Sequence, residues 1–269
     1  MINCTLAFMK KMLLFLFLLT TAVGQGQKIQ AIEQQSFKRS ADAFLGYDSL
    51  GAFYFIKDNV LYKQWDSKIW NYKNLSLGKI AKVDFQNPLK IVVFYENFNT
   101  AVLVDNQLNE TLKINWNDDP TPIVAKAVGL AFGNRLWVYN SSSQQVGLYD
   151  YLKKEYQPIT TPFQNTIQFF QSDFNTFFWI DDQGNAKSCD IYGKVTPFEK
   201  ASKLEQFQMI TKTDYLYKKD QSLYFYSSKL NKTMGIEIDK KTFENFSYKE
   251  QILSIFTNQE ITNYKIKLP

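Results

Sequence analysis

Residues 176–190 read TFFWIDDQGNAKSCD, in which an apolar, aromatic run leads through a polar turn to a second run that ends in aspartate. Short runs of aromatic and β-branched residues around a polar turn are typical of a β-hairpin. The same plan recurs along the chain, in which 16% of the residues are aromatic. Helical periodicity is nearly absent. The sequence therefore predicts an all-β protein built from repeated hairpins.

The hairpins recur with a long period. Six apolar strands can be aligned on one central residue each, with spacings of 39, 43, 41, 39 and 38 residues: Phe55, Phe94, Trp137, Phe178, Tyr217 and Ile255. Four of the strands that follow end in aspartate: Asp66, Asp105, Asp150 and Asp190. A further turn and a final strand come next, so one repeat holds about four short strands. A fixed period of this size indicates one supersecondary unit repeated along the chain.

A single four-stranded sheet cannot bury both of its faces, whereas copies stacked around an axis can. The repeat, read as aromatic strand, turn, strand ending in Asp, turn and strand, resembles the blades of β-propellers. The resemblance implies a six-bladed propeller of four-stranded antiparallel blades. It does not extend to a particular propeller family, because the chain has no histidine for a WD40 Gly-His pair. The competing fold is a pair of β-sandwiches or a jelly roll, which also contain short strands separated by turns.

The sixth repeat ends at Pro269, where its outermost strand should begin. Residues 28–37 are strand-like and precede the first complete repeat without a partner of their own. We therefore expect residues 28–37 to pair with residues 261–268 and to close the ring. Closure would leave no gap between the first and last blades.

The N-terminal residues have the pattern of a secretory signal peptide. Lys10 and Lys11 precede an apolar run at residues 12–19, and small Ala22 and Gly24 follow it. The run is shorter than the ~20 apolar residues that span a bilayer. We therefore interpret residues 1–24 as a cleaved signal peptide rather than as a retained anchor.

Residues 25–269 lack any Pro-rich, Gly/Ser-rich or highly charged linker, so we expect one domain there. No later stretch is long and apolar enough to span a membrane as a helix. We therefore expect an exported protein that resides in the periplasm, with the cell exterior as the alternative location. The composition, rich in Lys, Asn, Ile and Phe, together with the short signal peptide, indicates a bacterial source. Asp48-Ser49-Leu50 resembles the O-glycosylation acceptor of exported Bacteroidetes proteins, and the alternative is that residues 48–51 form an ordinary turn.

Much enzyme chemistry is missing from the composition. Without histidine there is no Ser-His-Asp triad, no histidine zinc ligand and no histidine base. Cys189 is the only cysteine after the signal region, and alternation along its strand predicts a buried, inert thiol. Phosphate-binding loops and EF-hand loops are also absent. We therefore expect neither a cofactor nor a metal.

The charge pattern argues against a nucleic-acid partner. The formal net charge is +5, and the lysines are scattered instead of forming one basic face. Two carboxylate pairs stand out, Asp118-Asp119 and Asp181-Asp182. Aspartate is favoured in turns by local hydrogen bonding, and this explains Asp181-Asp182 at a hairpin turn.

The loop at residues 115–123 is the longest connection between repeats and carries Trp116, Asp118 and Asp119. These residues, together with Trp70 in an outer strand, are the candidate binding residues, because Trp is enriched at interface hot spots. Burial is the alternative explanation for both tryptophans.

These observations favour a non-catalytic propeller that acts as a protein-binding scaffold in the cell envelope, with an envelope or secreted protein as partner. The alternative is a carboxylate- or metal-dependent hydrolase or lyase acting on a carbohydrate. Such an enzyme would gather Asp and Glu side chains from several blades at the mouth of the central channel.

Overall fold

The computed structural model describes residues 28–120, 122–198, 204–239 and 242–269. Its strands form six antiparallel blades around a central channel, which confirms the propeller and excludes the sandwich and the jelly roll. Two strands, β1 (Ile29–Gln30) and β2 (Ile32–Lys38), precede the first blade. In blades 1 to 5, the chain then runs outward through four consecutive strands before it enters the next blade.

The strands of the first three blades, given from the channel outward, are as follows: in blade 1, β3 (Ala43–Tyr47), β4 (Phe53–Lys57), β5 (Val60–Trp65) and β6 (Lys68–Tyr72); in blade 2, β7 (Lys82–Asp84), β8 (Ile91–Tyr95), β9 (Thr100–Val104) and β10 (Glu110–Asn115); in blade 3, β11 (Ala125–Leu130), β12 (Arg135–Asn140), β13 (Gln145–Asp150) and β14 (Glu155–Pro158).

The remaining strands complete the ring: in blade 4, β15 (Ile167–Ser172), β16 (Thr176–Asp181), β17 (Ala186–Asp190) and β18 (Val195–Pro197); in blade 5, β19 (Gln206–Met209), β20 (Tyr215–Lys219), β21 (Ser222–Ser227) and β22 (Lys232–Glu237); in blade 6, β23 (Asn245–Lys249), β24 (Ile252–Phe256) and β25 (Glu260–Lys265). Among the described residues, three single 3-10 turns lie between or at the ends of strands: Leu75–Leu77, Glu96–Phe98 and Trp116–Asp118.

Among the described residues, six hydrophobic clusters hold the ring together, one at each junction between neighbouring blades. They centre on Tyr54 and Val93 (blades 1 and 2), Phe94 and Val138 (2 and 3), Trp137 and Phe177 (3 and 4), Phe178 and Tyr215 (4 and 5), Leu216 and Phe246 (5 and 6), and Phe256 and Phe55 (6 and 1). The second strand of each blade lies between two clusters and contributes alternate residues to each. Burial on both faces explains why these strands read as continuous apolar runs.

The sequence alignment of the repeats is out of phase by one residue in three blades. Phe94, Trp137 and Phe178 pack against the following blade, whereas Phe55, Tyr217 and Ile255 pack against the preceding one. Successive strand residues point to opposite faces, so a slip of one residue exchanges the two blades that a side chain contacts. In blades 1, 5 and 6, the second-strand residues that pack against the following blade include Tyr54, Leu216 and Phe256.

Ring closure occurs as predicted. Strand β2 pairs antiparallel with β25 and becomes the outermost strand of blade 6, with Ser36 opposite Thr262 and Phe37 opposite Ile261. Strand β1 adds a contact that was not predicted, because it pairs parallel with β22 of blade 5 and places Ile29 opposite Ile236. The N-terminal segment thereby joins the last two blades.

The two faces of the ring differ in the turns that they carry. The face that carries the turns between the second and third strands of each blade, such as residues 57–60, is called the upper face. The lower face carries the turns that leave the first and third strands. On the lower face, each of the aspartates Asp105, Asp150 and Asp190 accepts two backbone N–H bonds from its own turn, the Asx pattern. Asp66 is not their equivalent, because it lies within its turn at φ 53°.

The signal peptide predicted at residues 1–24 lies outside the described residues. Within the described part of the chain, no helix is long and apolar enough to cross a bilayer. Cys189 is free and fully buried, as expected from the sequence. Burial raises the pKa of the Cys189 thiol to about 12, and the neighbouring Asp190 carboxylate acts in the same direction.

Candidate binding surfaces

The central channel forms a cavity of about 970 Å³. The first strands of the blades supply most of its lining, because they lie nearest the axis. Asp42 and Lys79 lie at its upper end, where Asp42 accepts a hydrogen bond from the backbone N–H of Asp58 in the upper turn of blade 1. Gln86 and Lys249 lie at its lower end. The cavity therefore extends between the two faces of the ring.

Side-chain amides join neighbouring blades around this channel. Gln206 donates from Nε2 to the carbonyl of Phe246 (2.9 Å) and accepts from its N–H (3.2 Å). Gln208 makes the same pair of bonds to Tyr248, at 2.8 Å each. Gln86 of blade 2 donates to Leu130 of blade 3 at 2.7 Å. These side chains satisfy backbone groups that the first strands leave unpaired on their inner edges.

Glycine allows two pairs of neighbouring first strands to approach closely. A Cβ at Gly129 of blade 3 would overlap the hydroxyl of Ser172 in blade 4. Gly46 of blade 1, at φ 130°, lies in the same way against Ser247 of blade 6. Side chains at either glycine would force these blades apart.

Two carboxylates are among the lining residues, and both accept hydrogen bonds from the protein. Asp84 accepts from the backbone N–H groups of Leu130 (2.7 Å) and Gln86 (3.0 Å) and from the amide of Gln86 (3.1 Å). Asp42 accepts from the N–H of Asp58 at 2.7 Å. Enclosure in the channel raises the pKa of Asp84, and the hydrogen bonds from Leu130 and Gln86 oppose that change.

Three lysines line the same cavity: Lys79, Lys82 and Lys249. Among the described residues, no carboxylate lies within 4 Å of any of their ammonium groups. The Lys82 ammonium lies 5.3 Å from the ring centre of Phe170, on the first strand of blade 4. Enclosure lowers the pKa of Lys82, and the negative charge of Asp84 opposes this shift. The channel therefore carries cations without ion-pair partners.

The lower face presents apolar side chains in its turns. Leu89, Phe132 and Leu152 are 65%, 62% and 68% exposed, and Phe174 is 37% exposed. We call these four residues the lower-face patch. They lie in turns of blades 2, 3 and 4. The Phe132 N–H donates to the carbonyl of Phe174 at 2.8 Å, so two of these turns are directly joined.

The residues of the lower-face patch were not predicted from the sequence as binding residues. A signal was available, because Leu89 follows Asn87-Pro88 and Phe132 precedes Gly133-Asn134, so that each apolar residue lies within a turn sequence. Turns are normally polar, and large apolar residues within them are informative when they cluster in space. The clustering depends on the ring geometry, which places turns of different blades side by side.

Trp116 is buried, so the expectation of an exposed tryptophan in the loop at residues 115–123 is wrong. It is 1% exposed and packs edge-on against Phe94 and Tyr149, with ring centres 6.3 and 5.7 Å apart. The residue directly follows β10, and its indole enters the cluster between blades 2 and 3. The alternative weighed for it, burial in the core, describes its position.

The other candidate residues are closer to solvent. Trp70 is half-buried against the cluster of blades 1 and 2, with the Lys63 ammonium 5.7 Å from its ring centre. Asp118 is exposed and accepts from Asn115 at 2.7 Å, whereas Asp119 accepts from the buried hydroxyl of Tyr149 at 2.9 Å. Their assignment as contact residues stays a prediction.

Asp181 and Asp182 lie in the upper turn of blade 4. Asp181 is buried and accepts N–H bonds from Gln183 and Asn185 within its own turn, which is the structural role expected of it. Among the described residues, no group of three or more acidic, cysteine or histidine side chains is arranged to hold a metal ion. The channel carboxylates come from blades 1 and 2.

Comparison with known proteins shows likeness of fold. No family model matches the chain, and no curated sequence matches it. Catalytically inactive virginiamycin B lyase from Staphylococcus aureus, bound to quinupristin, superposes with a TM-score of 0.57 at 10% identity, over 87% of this chain and 99% of the lyase. YCF48 bound to a D1 peptide gives 0.58 at 10% identity, over 89% and 100%.

PorZ of Porphyromonas gingivalis, an essential surface component of the type-IX secretion system, gives a TM-score of 0.51 at 10% identity. This chain matches 32% of PorZ over 87% of its own length. Identities this low, shared with proteins of unlike function, show a common architecture alone. The chain is a six-bladed β-propeller.

Proposed function

We propose that this propeller is a non-catalytic scaffold of the cell envelope that binds an envelope or secreted protein through its lower face. The lower-face patch is the observation that carries the proposal. Single exposed apolar residues are common on protein surfaces, whereas several in adjoining turns are typical of an interaction site. Phe132 and Leu152 would serve as the anchors that enter the partner.

Hydrogen bonds between turns hold the patch in place before any partner arrives. Besides the bond from Phe132 to Phe174, Tyr151 donates its N–H to the Asn134 carbonyl at 3.1 Å. The Lys90 ammonium donates to the Tyr151 hydroxyl at 2.6 Å and so joins blade 2 to blade 3. A surface that is already ordered loses little conformational entropy on binding, and this favours affinity.

The charges around the patch indicate the chemistry of the partner. Arg135, Lys153 and Lys154 lie in or beside the same turns of blade 3. The nearby carboxylates of Asp150 and Asp173 each accept two backbone N–H bonds within their own turns. A partner segment that combines apolar residues with flanking Asp or Glu would complement this surface.

The proposed location rests on the residue pattern of the N-terminal segment. The basic, apolar and small-residue order of residues 10–24 supports export to the periplasm, with the cell exterior as the alternative. Propellers of this architecture include a peptide-bound protein and a bacterial surface component of a secretion system. These examples show that the architecture can carry a peptide-binding role or a role at a bacterial surface, and the role proposed for this chain rests on its own lower face and N-terminal segment.

Affinity purification from the native envelope tests the proposal. The double variant Phe132→Ser, Leu152→Ser should keep the thermal unfolding temperature and lose capture of the partner by about tenfold or more, since each anchor is of hot-spot size. Leu75→Ser is the matched control, because Leu75 is 83% exposed and follows the outermost strand of blade 1. Equal capture by the double variant and the wild type would contradict the proposal, as would glycan cleavage by the purified protein.

A further inference from the structure

We propose that the central channel binds a small organic anion, one with an apolar or aromatic body and a carboxylate, sulfonate or phosphate group, and that Lys82 is its anchoring cation. This site is distinct from the lower-face patch.

The position of Lys82 makes it available to a ligand in the lumen. The residue begins β7 in blade 2, yet its ammonium lies over Phe170 of blade 4, with blade 3 between them in the ring. A side chain that contacts a blade two places away extends through the lumen. The Lys82 side chain is exposed to this space instead of being packed into a blade.

The arrangement of charge in the cavity favours an anion. The carboxylates of Asp42 and Asp84 accept backbone hydrogen bonds, whereas the ammonium groups of Lys79, Lys82 and Lys249 have no carboxylate within 4 Å among the described residues. A bound anion would supply the missing counter-charge. Enclosure by protein strengthens the attraction relative to a surface ion pair.

The walls of the cavity favour an organic ligand over an inorganic ion. Phe85, Phe170, Phe207 and Tyr248 line it together with the polar groups. Its volume of about 970 Å³ lies at the upper end of the range typical of small-molecule sites, ~300–1,000 Å³. A folded protein partner could not enter such a cavity, and a bare ion would leave the aromatic walls uncovered.

The probe that matches this chemistry is 8-anilinonaphthalene-1-sulfonate, which joins an aromatic body to one sulfonate. Its binding to the folded protein is followed by fluorescence titration. Lys82→Gln should raise the Kd about tenfold, the loss expected for one charge-assisted bond. Lys82→Arg, which keeps the charge, should retain binding within a few-fold. Lys113→Gln is the matched control, because Lys113 is an exposed lysine on the fourth strand of the same blade.

The uncharged analogue N-phenyl-1-naphthylamine separates the anion site from adventitious apolar binding. It should bind more weakly than the sulfonate, with a Kd that Lys82→Gln leaves unchanged. Near-ultraviolet circular dichroism establishes that each variant is folded. Phe170→Leu is a second variant of the channel lining, and it should bind the sulfonate probe more weakly than the wild type. Equal sulfonate affinity in wild type and Lys82→Gln would overturn the proposal. Equal affinity for the two probes would also overturn it. So would loss of sulfonate-probe binding in the lower-face variant Phe132→Ser, Leu152→Ser, whose channel is unchanged.

Discussion

Gln208 of blade 5 forms two hydrogen bonds with the backbone of Tyr248 in blade 6: its Nε2 donates to the Tyr248 carbonyl and its Oε1 accepts the Tyr248 N–H, each at 2.8 Å. The side-chain amide thus makes the two backbone hydrogen bonds that a neighbouring strand would otherwise make. First strands of adjacent blades diverge and cannot form a continuous ladder, so their inner edges would otherwise keep unpaired groups. Glutamine is long enough to cross the gap and carries both a donor and an acceptor.

Replacing this amide should weaken the junction between blades 5 and 6. Gln208→Ala leaves the N–H and carbonyl of Tyr248 without their partner, and each unsatisfied buried group costs about 1–3 kcal/mol. We expect a lower free energy of unfolding by urea denaturation. Gln157→Ala, at an exposed position on β14, is the control and should change little. A Gln208→Ala protein as stable as the control would show that solvent replaces the amide fully.

Trp116→Ala should destabilise the fold strongly. The indole fills the cluster between blades 2 and 3, and truncation of a buried Trp costs about 3–5 kcal/mol. Trp65, which is 53% exposed at the end of β5, is the matched control, and its replacement by Ala should cost less than about 1 kcal/mol. Thermal unfolding of the two variants measures the difference. If Trp116→Ala kept its stability but lost its partner, Trp116 would be a binding residue after all.

Removal of β2 should open the ring. A variant that begins after Lys38 loses the short β1–β22 pairing and the whole β2–β25 ladder, and it leaves β25 as an exposed edge strand in blade 6. We expect the free energy of unfolding to fall by several kcal/mol, because ladder hydrogen bonds and the buried contacts of Phe37 are lost together. A variant that begins at Lys28 is the control. Identical unfolding temperatures for the two would mean that β2 contributes nothing to closure.

Stability should fall as the pH rises above the ordinary range of a thiol. The pKa of Cys189 is about 12 in the folded protein, against ~8.5 for an exposed thiol. Between these values the unfolded chain releases a proton that the folded protein retains, so alkali favours unfolding. Cys189→Ala should therefore show a smaller loss of stability between pH 8 and pH 11 than the wild type. Urea midpoints across this range measure it, and parallel pH profiles for the two proteins would contradict the assignment.

The sequence was sufficient to predict the number of blades, the four-stranded unit and ring closure. These features follow from periodicity and from one unpaired strand at each end of the chain. The phase within each repeat was not predictable, because both faces of the second strands are apolar. Phe55 and Tyr54 fit equally well as equivalents of Phe94 until their neighbours are known. Asp66 shows the same difficulty, because the dipeptide Trp-Asp does not reveal whether the aspartate directly follows its strand or lies within the turn.

The binding surfaces were less predictable than the fold. Trp116 was selected because it occurs in a long loop, yet loop residues next to a strand can turn into the core, as this one does. Lys82 was not selected, because a single lysine in a β-rich chain gives no sign that it faces a lumen. Leu89 and Phe132 are far apart in sequence and share a surface only because the ring places their turns on one face.

The pairing of β2 with β25 has a consequence for how the chain reaches its native state. Ser36 and Thr262, whose hydroxyls lie 3.0 Å apart, are separated by 226 positions in the sequence. Contacts of such long range slow folding, because the entropy of closing the loop is lost before the contact forms. Strand β2 is synthesised early but must wait for the last strand of the ring. During that interval its edge and that of β25 stay unpaired, and the half-assembled chain is exposed to aggregation. The same joint that stabilises the finished ring thus makes its assembly dependent on the arrival of the final strand.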